Sequence, residues 1–307
     1  MAIIETLVYL LDSQDPSSWV SARMPISVSH APTTECNFSE WSIEKNNRSK
    51  LIEVVAYLYL RQEENAQRVI NALEPRRRVS KGRVAQNVIR KLTAPNKEDL
   101  ELLRVGSDAQ KEAARKRIKT SIVHRDGLLF QHISWVAARR TLPNGYMTSP
   151  HVRQADKGFD GFIIDLDDSR REIKRIVLCE DKASKSPRGL ISSSVWPEIG
   201  TIRRGDRDDE ILADLVTLLK GVPDIDAEAA VDEMFWEGAC EFRVAVATGE
   251  DQRRAGNFLH IVAGFEAVAG GELGSRTAGV LAFDDVRKGL ALLASEVAAK
   301  VEEIASV

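Results

Sequence analysis

Three charged residues near the middle of the chain are the first candidates for chemistry: Asp160, Glu180 and Lys182. Glu180 and Lys182 are two residues apart at the end of an apolar run, so on a strand they point to the same face. Two neighbouring carboxylates repel each other unless a positive charge lies between them. Carboxylate oxygens favour Mg²⁺ or Mn²⁺ over zinc. Such an ion can polarise a phosphoryl oxygen and activate a water, while a lysine orients that water or neutralises developing charge.

The stretch between these acids reads as a β-hairpin. Two apolar runs, 161–166 and 173–179, flank a polar, turn-prone segment. A turn centred near Arg170 would place Phe162 opposite Leu178 and Ile164 opposite Ile176, which suits a buried sheet. The same register places Asp160 opposite Glu180, and directly opposed side chains have Cβ atoms about 5 Å apart. The two carboxylates are therefore expected to converge, with Lys182 on the same face.

Basic residues flank this candidate site. We expect Lys157, Lys185, Arg188 and Arg153 to contact phosphate, with plain solvated surface as the alternative. Asp165 falls on the opposite face from Asp160 by strand parity and is discounted.

Helical periodicity and turn signals outline the remaining elements. The N-terminal part, 1–119, is expected to be mainly helical, with a possible strand at 3–11, a helix at 49–73 and a basic segment at 76–119. The second part, 120–307, is expected to hold the core, with a strand at 240–247 and helices at 120–141, 206–219, 227–236, 258–268 and from 284 onward. In the last helix, an apolar stripe indicates packing, with a partner interface as the alternative; it consists of Val286, Leu290, Leu293, Val297, Val301 and Ile304.

The motifs Phe159-Asp160 and Glu180-Asp181-Lys182 follow a helix and precede another helix and strand. This order resembles the PD-(D/E)XK nuclease superfamily, whose fold is that of many restriction endonucleases, over roughly residues 120–247. The resemblance implies an α/β fold with a mixed sheet flanked by helices. It also implies that Asp160 and Glu180 bind Mg²⁺ or Mn²⁺ with the Asp181 backbone carbonyl, and that Lys182 acts on the attacking water. Where family members often carry a further glutamate, this chain offers Gln131 or Asp126.

The layout is also similar to the nuclease subunit of the Hachiman type of anti-phage defence system. That likeness implies a Mg²⁺-dependent deoxyribonuclease, an endonuclease rather than an exonuclease, which acts on DNA beside a helicase or ATPase. The alternative is a catalytically degenerate nuclease fold that binds nucleic acid or assembles with such a partner.

Composition sets outer limits on function. The chain has 307 residues, 43% hydrophobic and 29% charged, which is enough to bury a core. A net charge of −3 argues only for local nucleic-acid contact. Three widely spaced cysteines argue against a disulfide framework and a thiolate zinc site. No signal peptide or membrane-length apolar run is evident, so a cytoplasmic protein is expected.

Overall fold

A computed structural model describes residues 24–31, 33–76, 82–142, 145–151, 159–167, 173–220, 222 and 240–305. The predicted strand at 3–11, the helix at 227–236 and the turn near Arg170 lie outside these residues. So do the candidate phosphate contacts Arg153 and Lys157.

The described strands form one mixed seven-stranded sheet in the order β1-β2-β7-β6-β5-β4-β3. The four central strands β2, β7, β6 and β5 run parallel; β1 pairs antiparallel with β2, β4 with β5, and β3 with β4. The predicted α/β class with a mixed sheet is confirmed. The strands are β1 (Ser27–Ala31), β2 (Asn37–Ser42), β3 (Tyr146–Met147), β4 (Gly161–Leu166), β5 (Ile173–Ala183), β6 (Cys240–Gly249) and β7 (Arg276–Phe283).

Strands β4 and β5 form the predicted antiparallel pair in the predicted register. Phe162 lies opposite Leu178, and Ile164 lies opposite Ile176. The last ladder pair at this end is Gly161 with Cys179, which leaves positions 160 and 180 one step beyond it. The register shifts only near the turn, between Asp165 and Leu166.

Helices cover both faces of this sheet. They are α1 (Arg48–Tyr59), α2 (Glu63–Ile70), α3 (Gly82–Leu92), α4 (Lys97–Val105), α5 (Asp108–Thr141), α6 (Pro187–Leu190), α7 (Trp196–Arg203), α8 (Asp208–Leu219), α9 (Phe265–Ala269) and α10 (Val286–Ala305). A π-helical turn, Ile191–Val195, joins α6 to α7. The helix predicted over 258–268 is instead a short 3₁₀ segment, Leu259–Val262, followed by α9.

Two further helix boundaries differ from those predicted. The segment 49–73 forms two helices, because Arg61 between them adopts φ 57°, a left-handed conformation that ends a right-handed helix. The segment predicted over 120–141 is the second half of α5, whose start at residue 108 is fixed by a capping box. The Ser107 hydroxyl accepts from the Gln110 N–H, and the Gln110 side-chain oxygen accepts from the Ser107 N–H.

Each face of the sheet carries its own hydrophobic core. On one face, α1, α2, α3, α5 and α10 pack together against the sheet. On the other, α7, α8, α9 and the π-helical turn cover residues such as Phe162, Leu178 and Val244. The close approach of Trp41 to β7 needs Gly279, since a Cβ there would lie 2.0 Å from the indole ring. The result is a three-layer helix–sheet–helix arrangement.

The region before residue 120 is built into this arrangement. The boundary predicted between 119 and 120 falls inside α5, and β1 and β2 belong to the same sheet as β5. Five residues of the predicted stripe on α10, Val286, Leu290, Leu293, Val297 and Val301, are buried, and Ile304 packs against the same core. The packing interpretation of that stripe is confirmed. None of the helices in the described ranges combines the length and apolar character that a bilayer crossing requires.

Candidate active site

Asp160, Glu180 and Lys182 meet where β5 reaches its carboxyl end and β4 begins. The Lys182 ammonium forms an ion pair with Glu180 Oε1 and lies 3.8 Å from Asp160 Oδ2. The same carboxylate oxygen is held in place from the main chain, because Oδ2 also accepts a 2.7 Å hydrogen bond from the Asp181 N–H. The structure therefore brings the three sequence-predicted residues into one cluster.

Gln131 reaches this cluster from α5. Its side-chain Nε2 donates to Asp160 Oδ1, so both carboxylate oxygens of Asp160 are engaged. Its Oε1 is buried and has no hydrogen-bond partner among the described residues. Of the two positions considered for an additional ligand, Gln131 lies at the site.

Burial dominates the electrostatics of the acids. It raises the pKa of Glu180 to about 8, and the negative charge of Asp160 adds to that rise while Lys182 opposes it. Burial also raises the pKa of Asp160, against the opposing effect of Lys182. Burial alone would lower the pKa of Lys182, but the two carboxylates raise it overall. A buried ammonium held by two carboxylates shows that this pocket favours positive charge.

Behind the cluster lies a buried polar network that sequence reasoning missed. The Asp181 side chain points away from Lys182 and accepts a 2.5 Å hydrogen bond from the Ser134 hydroxyl. Arg243 on β6 donates to the Ser134 hydroxyl at 2.8 Å and lies 3.4 Å from Asp181 Oδ1. Burial raises the pKa of Asp181 to about 7, and Arg243 acts against that rise. The signal in the sequence was Arg243 itself, a charge within an apolar strand.

An open cleft of about 370 Å³ leads to the acids. One wall is α5, which contributes Val123, Gly127 and Gln131, and the opposite wall includes Leu190 of α6 and Ser194. Asp160 and Lys182 lie at the floor. Reasoning from the sequence found the floor and, of the walls, Gln131; the other wall residues come from segments distant in the chain. A local sign of the wall that was passed over is Gly127, a glycine inside a long helix.

The remaining described site candidates make contacts of their own. Asp126 is fully buried and pairs at 2.6 Å with both Arg125 and Arg287, away from Asp160. Lys185 is exposed and lies 3.4 Å from Asp285. Arg188 donates to the backbone carbonyls of Ile261 and Ala263.

A divalent cation such as Mg²⁺ needs oxygen ligands from the residues of the site. Within the described ranges, no group of three or more His, Cys, Asp or Glu side chains is arranged to hold a metal ion. The donor set at this site is instead two carboxylates, Asp160 and Glu180, to which the resemblance would add the Asp181 carbonyl. Glu180 Oε2 is buried with no hydrogen-bond partner in the described part of the chain, as an oxygen awaiting a cation would be. Hard oxygen donors and raised carboxyl pKa values fit Mg²⁺ or Mn²⁺.

No model of a known protein family matches the chain, and no curated protein matches it.

Proposed function

We propose that this protein is a metal-dependent nuclease of the PD-(D/E)XK type that hydrolyses phosphodiester bonds of DNA. The observation that supports the proposal most is the convergence of Asp160, Glu180 and Lys182 in one cluster, of which Asp160 and Lys182 line the cleft. These residue types in this arrangement suit phosphoryl transfer to water.

Each side chain has a distinct part in the proposed reaction. Asp160 and Glu180 would hold Mg²⁺ or Mn²⁺, which supplies Lewis-acid stabilisation of the phosphoryl oxygens when bound. Gln131 and the Asp181 N–H hold the Asp160 carboxylate in one orientation. With the two carboxylates engaged by the cation, the Lys182 ammonium would position the attacking water and offset the charge that develops on the phosphorane.

The wider role in this proposal is that of an effector nuclease in a bacterial anti-phage or restriction system, beside a helicase or ATPase. It rests on the resemblance to the Hachiman-type nuclease subunit. The apolar stripe on α10 is buried in the core of this chain, so a partner would have to bind to another surface.

The test is cleavage of supercoiled and linear DNA by the purified chain in Mg²⁺, in Mn²⁺ and in EDTA. Removing a group that stabilises transition-state charge costs about 10²–10³-fold in rate, so Glu180→Gln and Lys182→Met should lose at least that much. The matched controls are Asp165→Asn, at the far end of β4, and Lys174→Met, which is exposed on β5; both should cleave like the parent. Parent-like cleavage by Glu180→Gln would overturn the proposal.

A second candidate function is a non-catalytic nucleic-acid-binding subunit with a nuclease fold. The observation favouring it is Gln131, an amide where the family often has an acid, so that helix α5 adds no carboxylate to Asp160 and Glu180. DNA binding without cleavage in any metal, with or without a helicase partner, would support this candidate over the first.

A further inference from the structure

Helix α5 is far longer than its buried part. It has 34 residues, about 51 Å at 1.5 Å per residue, yet most of its buried side chains lie after residue 124. In the first half, Ala114 is buried, and Arg117 pairs with Asp99 of α4 at 2.6 Å. That half therefore has one packed side, towards α4, and one side open to solvent.

The open side continues the wall of the catalytic cleft. Val123, Gly127 and Gln131 line the cleft at four-residue spacing, which places them on one face of the helix. One turn before Val123 the same face carries Lys119, and two turns before it carries Lys116. Both lysines are exposed, and the Lys116 ammonium lies 3.9 Å from Glu112. This face runs about 22 Å along the helix from Lys116 to Gln131, with the two lysine charges at the end farther from the acids.

The dimensions of the cleft limit which form of nucleic acid can reach the acids. A volume of about 370 Å³ is at the lower end of the range of about 300–1,000 Å³ for small-molecule pockets. The acids lie deep, since the Asp160 side chain is only 14% exposed and that of Glu180 3%. A B-form duplex, whose major groove alone is about 12 Å wide, holds its phosphates on a stiff cylinder that cannot enter such a cleft. One nucleotide of a flexible strand can.

We propose that the α5 face formed by Lys116, Lys119, Val123 and Gly127, here called the strand track, guides single-stranded DNA into the cleft. This proposal rests on the proposed function and names the strand state of its substrate. The two lysines contact phosphates, which positions the strand without reading its sequence. A positively charged groove that follows the backbone is the usual basis of sequence-independent single-strand binding.

The experiment measures binding without cleavage, in EDTA, with the full chain carrying Glu180→Gln. A labelled 20-nucleotide single strand and the matching duplex are titrated by fluorescence anisotropy at several salt concentrations. The single strand should bind at least about five-fold more tightly than the duplex, because only it reaches both the strand track and the cleft. Each phosphate contact on a single strand contributes about 0.7 to the salt slope, so Lys116→Gln with Lys119→Gln should lower that slope by about 1.4 and weaken binding about ten-fold.

The matched control removes the same charge from two neighbouring helices. Arg90 of α3 and Arg104 of α4 are exposed, and Arg104 pairs with Glu101 at 2.6 Å. Arg90→Gln with Arg104→Gln should leave single-strand affinity within about two-fold of the parent, since neither side chain lies on the strand track. Tighter duplex binding, or equal losses in the two double variants, would overturn the inference. Because no cleavage is measured, these outcomes are separate from failure of the nuclease proposal.

Discussion

At the scale of single residues, the site depends on Arg243, a charged residue that does not line the cleft. Arg243 and Asp181 are both buried, and Ser134 bridges them. The Asp181 main chain in turn donates to Asp160. Arg243 is therefore a positioning residue: it holds the Asp181 segment of β5, and through it the first carboxylate of the cluster.

Replacing Arg243 with methionine tests this chain of contacts. Breaking a buried ion pair from one side leaves an uncompensated charge, so Arg243→Met should lower the free energy of unfolding by about 3 kcal/mol. Adding Asp181→Asn should recover part of that loss, because no charge is then left buried without a partner. Urea unfolding of the two single variants and the double variant gives the coupling energy.

The matched control is Arg175→Met on the neighbouring strand. Arg175 lies 3.1 Å from Asp165 and 3.7 Å from Glu241, and its side chain is 34% exposed. Pairs this open to solvent are worth about 0–1 kcal/mol, so this variant should stay near the parent. Equal destabilisation by the two arginine variants would contradict the positioning role of Arg243.

His132 makes stability depend on pH. It is fully buried on α5, its ring stacks on Tyr59 at 3.8 Å between centroids, and burial lowers its pKa to about 3. Since the folded-state pKa lies below the unfolded value of about 6.5, the unfolded chain binds more protons between these values. The stabilising contribution of neutral His132 is thus present above pH 6.5 and is lost as pH falls towards 3.

His132→Phe keeps a ring against Tyr59 and removes the titration. Between pH 6.5 and 4.5, the parent should lose about 1.4 kcal/mol per pH unit more than this variant. Urea unfolding at pH 7, 6 and 5 measures the difference. Parallel pH profiles for the two proteins would show that His132 is not the group responsible.

At the scale of elements, the β4–β5 pair was predictable and the cleft walls were not. Apolar residues on both strands and a turn between them specify the register, because a one-residue slip would move every side chain to the opposite face. That register alone brings Asp160 towards Glu180. The walls depend on how α5 and α6 pack on the sheet, which local periodicity does not encode.

Strands β2 and β7 were not predicted from the sequence, and the reason is again physical. β2 and β7 pair in parallel although more than 200 residues separate them, so no hairpin signal links them. The β2–β7 pairing thus depends on contacts between segments distant in the chain. The helix boundary inside 49–73 was also not predicted. Apolar residues keep helical spacing along this segment, and the helix is interrupted at Arg61, which has a left-handed conformation.

Gly127 tests the role of α5 as a cleft wall. A Cβ at this position would meet nothing within 4 Å, although glycine in a helix interior costs about 1 kcal/mol relative to alanine. Gly127→Leu should therefore match or exceed the parent in thermal stability, yet lose at least about ten-fold in DNA cleavage, because the added side chain occupies part of a 370 Å³ cleft.

Gly127→Ala is the matched control for that variant. It adds a single methyl group, so it should gain about 1 kcal/mol in stability and retain most of the cleavage rate. The assay is cleavage of DNA in Mg²⁺ beside a thermal melt of each protein. A Gly127→Leu variant that cleaves like the parent would show that substrate does not pass this point of α5.

At the scale of the whole molecule, α10 joins the N-terminal helices to the sheet that carries the site. It packs against α1, α3 and α5, and makes contacts with β6 and β7 as well. The described residues before 120 and after 240 therefore share one core, on the face of the sheet that α5 covers. A loss of packing at α10 should therefore also destabilise the site, although the site lies at some distance from α10.

Two adjacent leucines on α10 give a sharp test of this dependence. Leu293 is 1% exposed within the core, whereas Leu292 is 57% exposed. Leu293→Ala should lower the free energy of unfolding by about 2–5 kcal/mol because it leaves a cavity, and Leu292→Ala should stay within about 0.5 kcal/mol of the parent. Both are measured by guanidinium unfolding, followed by near-ultraviolet circular dichroism and by DNA cleavage activity. For Leu293→Ala, both signals should be lost in one shared transition at lower denaturant, since the helices and the site rest on one core. Retention of cleavage activity after the tertiary signal is lost would mean that the site folds independently of α10.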